Sequence, residues 1–414
     1  MALGLCATTV AADEAEAATG DPIKVGIIAP LSGTTALQGE YLMNGYNFAV
    51  KHINEEGGIN GRPLELVVSD SESLPEVGAT EFEKLAQDDE IVAMMGAYSS
   101  GVSAVIAPLA IKYSIPLMVT HAVSDACMEL GENKYVYRAN CGTVESYVWY
   151  EKFFQWMAER GTPIKTIATV YENSDYGFSS NEMLQKLCDE SDLGMEMVMS
   201  EPVASDSADL SGVINKLKAA NPDYAYVALN GNDAVLFARQ MKEYDCNVAY
   251  CGAGGGFMQV DYYEKVGDLS DYMMGISFWY YDIIEALGNP RAAELAAEYH
   301  DTYGYDMQEI VVSAWTATYV LADAMKRAES IEREAIADAL KETDLEDDTA
   351  TIFCPYNRVK FGDDQGRNNQ NLYSAMPSAQ MFGGEWKMIY PADLVQGENP
   401  LVWPVPTWEE REAQ

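Results

Sequence analysis

From Ile23 onward, short β-branched apolar runs alternate with stretches whose apolar residues recur at helical spacing. The run "IKVGIIAP" predicts a strand, "LMNGYNFAVKHINEEGG" an amphipathic helix that stops at Gly57 and Gly58, and "LELVVSD" the next strand. The order repeats with "GATEFEKLAQ" as helix, "IVAMMGAY" as strand, "GVSAVIAPLAIKYS" as helix and "IPLMVT" as strand. After Cys141 a second series begins with the long helix "TVESYVWYEKFFQWMAERG". It continues through strands "TIATVYE", "MEMVMSEPV", "YAYVAL" and "VAYCG", separated by helices "SSNEMLQKLCDES", "LSGVINKLKAA" and "AVLFARQMKEY". This rhythm is that of βαβ units, so the chain is expected to build two wound, largely parallel α/β sheets in succession. The remainder, with "GISFWYY", the helical "SAWTATYVLADAMKRA" and "NRVKFGDDQG", must complete one or both of them.

A chain of 414 residues, 48% of them apolar, is long enough for two domains with separate cores. Its 26 basic and 65 acidic side chains give a net charge of 26 − 65 = −39, spread along the sequence. A nucleic-acid role would work against that field, and a solvated acidic surface is the plain reading. The opening "MALGLCATTVAADEAEAATGDP" reads as the tail of a secretory signal followed by an acidic linker, residues 1–22, with Val10-Ala11-Ala12 as an acceptable cleavage site. Cys6 is the alternative, as a lipid-anchored residue, although Leu5 before it is bulky for such processing. No segment approaches about 18 unbroken apolar residues, so none is expected to span a membrane. Without Cys6, six cysteines remain, an even number that suits an oxidising compartment. Cys127 with Cys141 and Cys246 with Cys251 are close enough in sequence to pair. Three histidines and no C-x-x-C leave a zinc site without its usual ligands.

Ligands of open α/β sheets collect where strands end and helices begin. "GAYSSGVS", Gly96 to Ser103, sits at such a place and nearly spells a phosphate loop, but Val102 stands where the lysine belongs. Unpartnered first-turn N–H groups and the hydroxyls of Ser99, Ser100 and Ser103 suit a single carboxylate or a neutral polar group. Equally, Ser99 or Ser100 can simply cap the helix. "GAGGGF", Gly252 to Phe257, fails the dinucleotide pattern at its last glycine and reads as a flexible connection. No G-x-S-x-G elbow or H-E-x-x-H is present, so no catalytic residue, cofactor or metal is expected.

Read in order, "KVGIIAPLSGTTALQGEYLMNGYNFAVKHINEEGGINGRPLELVVSD", "GAYSSGVSAVIAPLA", "IPLMVTHAVSD", "YVYRAN", "VYENSDYGFS", "NPDYAYVALNGNDAVLFARQ", "RVKFGDDQGR" and "PLVWPVPTWEER" resemble the type I periplasmic binding proteins of branched-chain amino acid and amide ABC importers. The likeness spans nearly everything after Ile23. It implies two wound α/β lobes joined by a three-strand hinge, with the ligand in the interlobe cleft. Residues 23–142 with 278–350 would form one lobe, 143–277 with 351–400 the other, and 401–414 a tail. It implies a carboxylate or amide cradle at Tyr98, Ser99 and Ser100, with His121 and Val123 from the next loop. From the second lobe it implies the aromatic contact of Tyr176, with Asn230 and Gln38 at further pocket positions.

Two positions depart from the amino-acid-binding members of the family. Val123 replaces a common threonine, and Gly254 replaces a common acidic residue that would face a ligand ammonium. A buried ammonium without a counter-charge is costly, so these departures argue for a small organic acid or amide, unless Asp175 or Asp233 supplies the charge. Tyr98, Tyr176 and residues of "FWYY" are candidates to pack an apolar tail. The expected role is an extracytoplasmic solute-binding protein, a monomer, partnered by a small-molecule ligand and by ABC permease subunits. Membrane contact would come only through the permease or a lipid anchor. The alternative is a ligand-sensing receptor component of the same fold; an enzyme is the third reading, and no intact motif supports it.

Overall fold

The computed structural model describes residues 17–364 and 367–413; the expected cleavage site and Cys6 lie outside the described residues. The first lobe opens with β1 (Ile23–Ala29), α1 (Ala36–Glu55), β2 (Leu64–Asp70), α2 (Pro75–Ala86), β3 (Ile91–Gly96) and α3 (Ser100–Lys112), then β4 (Leu117–Val119) and β5 (Val136–Arg138). The second lobe follows as α4 (Thr143–Glu159), β6 (Thr166–Glu172), α5 (Asp175–Glu190), β7 (Glu196–Val203) and α6 (Ser211–Ala220). It continues through β8 (Tyr224–Ala228), α7 (Gly231–Glu243), β9 (Tyr250–Ala253), α8 (Tyr262–Val266) and β10 (Met274–Ile276). The chain then returns to the first lobe with α9 (Asp282–Leu287), α10 (Pro290–Tyr303), α11 (Glu309–Ala328) and α12 (Arg333–Lys341). Strands β11 (Asp344–Glu346), β12 (Arg358–Asp364) and β13 (Arg367–Asn371) precede β14 (Ser378–Phe382) and β15 (Glu385–Tyr390).

The strands form an eight-stranded sheet ordered β11-β12-β13-β5-β4-β3-β1-β2 and a seven-stranded sheet ordered β15-β14-β10-β9-β8-β6-β7. The βαβ strands pair in parallel, whereas β11-β12, β12-β13, β10-β14 and β14-β15 are antiparallel. This placement corrects the expected lobe boundaries, because β12 and β13 join the first sheet although 351–400 is assigned to the second lobe by sequence. Gln370 of β13 pairs with Arg138 of β5, which fixes that edge. Single-sequence reasoning missed this because both antiparallel strands are polar and lack a helix between them.

Alternation along each strand divides its side chains between two cores. In β8, Ala225 and Val227 enter one core of the second lobe, while Tyr224 and Tyr226 enter the core on the opposite face. The cysteine pairs suggested by proximity therefore do not form. Cys246 and Cys251 lie in those two different cores, and Cys127 and Cys141 lie in cores of different lobes. In the first lobe, α1 and α11 pack together, with the Phe48 and Trp315 rings 5.4 Å apart. Because α11 is buried along most of its length, its first residue, Glu309, is brought to the interlobe cleft. Among the described residues, no helix is long and apolar enough to cross a membrane.

Candidate functional site

A cleft of about 490 Å³ opens between the lobes, at the carboxyl ends of both sheets' central strands. Tyr98, Ser99, Ser100, His121, Val123, Tyr176, Asn230 and Gly254 all line it. Gln38 does not. It is 1% exposed, and its Nε2 donates to the Gly255 carbonyl at 3.5 Å, so it joins the lobes beside the cavity instead of facing it. Tyr98 makes a parallel link, its hydroxyl donating to Asn230 Oδ1 at 3.3 Å, while Asn230 Nδ2 donates to Glu172 Oε2 at 3.0 Å.

On the first-lobe wall, α3 begins at the cavity with Ser99 as its N-cap. The Ser99 side chain makes no capping hydrogen bond, so the capping role open to it by sequence is not what it does here. Ser100 Oγ accepts from the Ser124 N–H at 3.3 Å, and Ser103 Oγ from the Ala97 N–H at 3.3 Å, tying the neighbouring loops to the helix start. What faces the cavity is thus a hydroxyl and the first turn of a helix, an arrangement that favours negative charge.

The other walls carry carboxylates, of which sequence reasoning offered Asp175 as a substitute counter-charge and missed Glu172 and Glu309. Glu172, Asp175 and Glu309 line the cleft, and no lysine or arginine does so among the described residues. Glu172 ends strand "TIATVYE", where the rule on strand termini could have found it; Glu309 carries no local signal, since a helix from a distant part of the sequence delivers it. Asp233, the other substitute considered, is instead buried and accepts from the Asp206 and Ser207 N–H groups at 2.9 Å each. Of "FWYY" only Phe278 lines the cleft; Trp279 and Tyr280 are buried elsewhere and Tyr281 is exposed.

Glu309 is 7% exposed, and burial pushes its carboxyl up to about 7 despite hydrogen bonds from the Ser277 hydroxyl and the Phe278 N–H. His121 lies beside it, Nε2 to Oε1 at 3.8 Å, but burial pulls the imidazole down to about 3 and holds it neutral. The His121 ring stacks on Tyr98 with centroids 5.1 Å apart and meets Phe278 edge-on at 5.2 Å, while Nδ1 contacts Ser313 Oγ at 3.3 Å. Gly254 has φ +86, and a Cβ there would lie 2.6 Å from the Tyr176 hydroxyl. Backbone conformation and the close tyrosine both require glycine, so acidic groups reach the cleft from elsewhere. That removes the premise that this cleft lacks a counter-charge for an ammonium. Nor are the "GAGGGF" glycines a loose connection: a Cβ on Gly252 would lie 2.5 Å from the Phe257 ring, and one on Gly255 would collide with the Tyr98 hydroxyl.

Behind the loop that carries His121 and Val123, Arg138 is fully buried at the first crossing between lobes. Its guanidinium pairs with Asp125 and lies 3.8 Å from Glu145 of α4. It also donates to Gln370 Oε1 at 2.8 Å and to the Val123 and Ser124 carbonyls at 3.1 Å each. Asp125 in turn accepts from Thr143 Oγ1 at 2.6 Å and from the Val144 N–H at 2.9 Å, so it anchors the start of α4.

With this geometry in place, comparison with known proteins is decisive. A sequence profile described as periplasmic binding protein matches residues 22–380. The chain belongs to the periplasmic binding protein family. A relative, Leu/Ile/Val-binding protein homolog 7 of Brucella abortus (strain 2308), is 27% identical over 404 residues, covering 94% of this chain and 96% of its own. Among solved structures, the branched-chain amino acid transporter substrate binding protein LivJ of Streptococcus pneumoniae, in complex with isoleucine, superposes with a TM-score of 0.75 at 19% identity, covering 90% of this chain and 100% of its own. An ABC transporter solute binding protein from R. palustris, in complex with benzoate, gives a TM-score of 0.75 at 20% identity, covering 89% and 96%. Both structures share the two-lobed fold of this periplasmic binding protein, whose relatives are substrate-binding proteins of transporters.

Proposed function

We propose that this chain is the extracytoplasmic substrate-binding component of an ABC importer, that it captures a small organic ligand by its carboxylate or amide end, and that it delivers the ligand to membrane permease subunits. The observation that carries this reading is the start of α3, where the Ser99 side chain makes no cap and faces the cleft beside first-turn N–H groups. The solved relatives of the same fold hold isoleucine and benzoate, which have a carboxylate in common. Contacts to both lobes stabilise the shut form over the open one, because only the shut form makes them all, and a permease can distinguish the two. The Tyr98 link to Asn230 and the Gln38 link to Gly255 are already interlobe bonds of this kind.

Isothermal calorimetry with small carboxylates tests the proposal. Ser99→Ala should weaken binding of a carboxylate ligand by about 1–3 kcal/mol, the size of a hydrogen bond to a charged group, while leaving thermal stability nearly unchanged. Binding that is indifferent to Ser99, or ligand recovered chemically altered after incubation, would overturn it.

A further inference from the structure

The glycine run after β9 meets the other lobe directly. Gly255 is buried, and outside its chain neighbours the atoms nearest to a Cβ built there all belong to the first lobe: the Tyr98 hydroxyl, Gln38 Cγ at 3.0 Å and Gln38 Nε2 at 3.2 Å. The backbone does not itself demand glycine, because Gly255, unlike Gly254, has no positive φ. A side chain at 255 is therefore excluded by the shut arrangement of the lobes and by nothing nearer in its own lobe.

The same contact continues along the chain to Val260, whose N–H donates to the Tyr41 hydroxyl. Tyr41 is buried and held edge-on against Tyr305, with ring centroids 5.3 Å apart. Gln38 and Tyr41 lie one turn apart on the same face of α1, so both reach the 255–260 stretch. Gln38 Nε2 donates to the Gly255 carbonyl at 3.5 Å, and the Tyr98 hydroxyl to Asn230 Oδ1 at 3.3 Å. Three side chains of the first lobe thus bond to the second with no ligand between them, and two of these, Gln38 and Tyr41, do not line the cleft.

We propose that this seam, α1 against residues 255–260, is a latch that shuts the lobes without a ligand, and that Gln38 and Tyr41 are positioning residues that set the affinity of the cleft from outside it. Each bond of the seam forms only in the shut arrangement, so it stabilises that arrangement by the same amount whatever the cleft holds. A ligand then meets a chain already arranged for it, and apparent affinity scales with the shut fraction. Gly255 is the position the latch depends on, since any Cβ there holds the lobes apart. The statement about affinity rests on the proposed binding function; the shut ligand-free form does not.

The test reads the ligand-free full chain by small-angle X-ray scattering and by amide hydrogen exchange. Wild-type scattering should match the shut two-lobed structure, and Gly255→Ala should give a larger radius of gyration. The Val260 amide, which bonds across the lobes, should exchange roughly tenfold faster in Gly255→Ala, although the substitution is made elsewhere in the seam. Tyr41→Phe removes one hydroxyl and keeps the ring, so it decides the matter should Gly255→Ala fold poorly, and it should raise the radius of gyration in the same direction. Calorimetry with isoleucine and with benzoate supplies the second arm. Gln38→Met and Tyr41→Phe should each weaken both probes by one common factor, roughly fivefold, the size of a neutral hydrogen bond. Wild-type lobes found parted in the ligand-free chain would overturn the proposal, as would Gly255→Ala and Tyr41→Phe scattering like wild type. A loss confined to one probe would overturn it as well, by making Gln38 or Tyr41 part of the ligand site. Failure of both probes to bind wild-type protein would count against the proposed function, and the ligand-free measurements would still decide the latch.

Discussion

Two buried charges a short way apart in the fold are treated in opposite ways. At the first crossing between lobes, Arg138 is fully buried and surrounded by Asp125, Glu145, Gln370 and loop carbonyls. Burial alone would lower the pKa of that guanidinium, yet the adjoining Asp125 carboxylate, with Cys127 and Glu145, raises it above its ordinary value. In the cleft, Glu309 is nearly as buried and has only neutral donors, and its carboxyl is pushed up toward neutrality. The contrast separates scaffold from site. A charge whose partners all belong to the chain holds the chain in place, and one whose counter-charge is missing is poised for something from outside.

The largest effect should come from breaking the complete side of this comparison. Arg138→Met strands the buried Asp125 carboxylate without its guanidinium, and denaturant melts should show a loss of about 3–5 kcal/mol. Adding Asp125→Asn should restore part of it; an equal or greater loss in the double variant would contradict the pairing account.

The incomplete side should respond with the opposite sign. A carboxyl whose folded-state pKa is raised from an ordinary 4.5 to about 7 gives stability that is fully present below 4.5 and lost as pH rises through 7. Glu309→Gln in the ligand-free protein should therefore be more stable than wild type at alkaline pH, by about 3 kcal/mol, with the two converging in acid. Melting temperatures measured across the pH range decide it, and a variant less stable than wild type at alkaline pH would refute the claim.

A smaller effect sharpens the same contrast at the neighbouring ring. The His121 imidazole falls from an ordinary 6.5 to about 3 on folding, because burial disfavours its cation. Its contribution is present above 6.5 and lost as pH falls toward 3, about 2 kcal/mol by pH 5. His121→Phe should flatten that limb of the acid-unfolding curve; an unchanged limb would mean that the imidazole charges freely in the fold.

The alternation of runs in the sequence anticipates β1 through β4, β6 through β9 and the helices between them closely, as with "LELVVSD" for Leu64–Asp70, but not the three-residue β5. Legibility fails where the chain abandons βαβ order. Strands β12 and β13 are polar and antiparallel, and only their pairing beside β5 shows which lobe they complete. The cleft divides in the same manner. The loop after β3 announced Ser99 and Ser100, and the family resemblance supplied Tyr98, His121, Val123, Tyr176, Asn230 and Gly254, all of which line the cleft, whereas Gln38 proved to be a bridge between lobes and Glu309 gave no sign of itself.

The order of elements, the two sheets and the helix start after β3 follow from local periodicity and punctuation, which act over one or two turns of chain and can be read residue by residue. Which charges are compensated does not follow from them. Desolvation depends on everything packed around a group, and the packing that surrounds Glu309 comes from β3, β4, β10 and α11, segments as much as about 200 residues apart whose meeting is decided only when the lobes assemble.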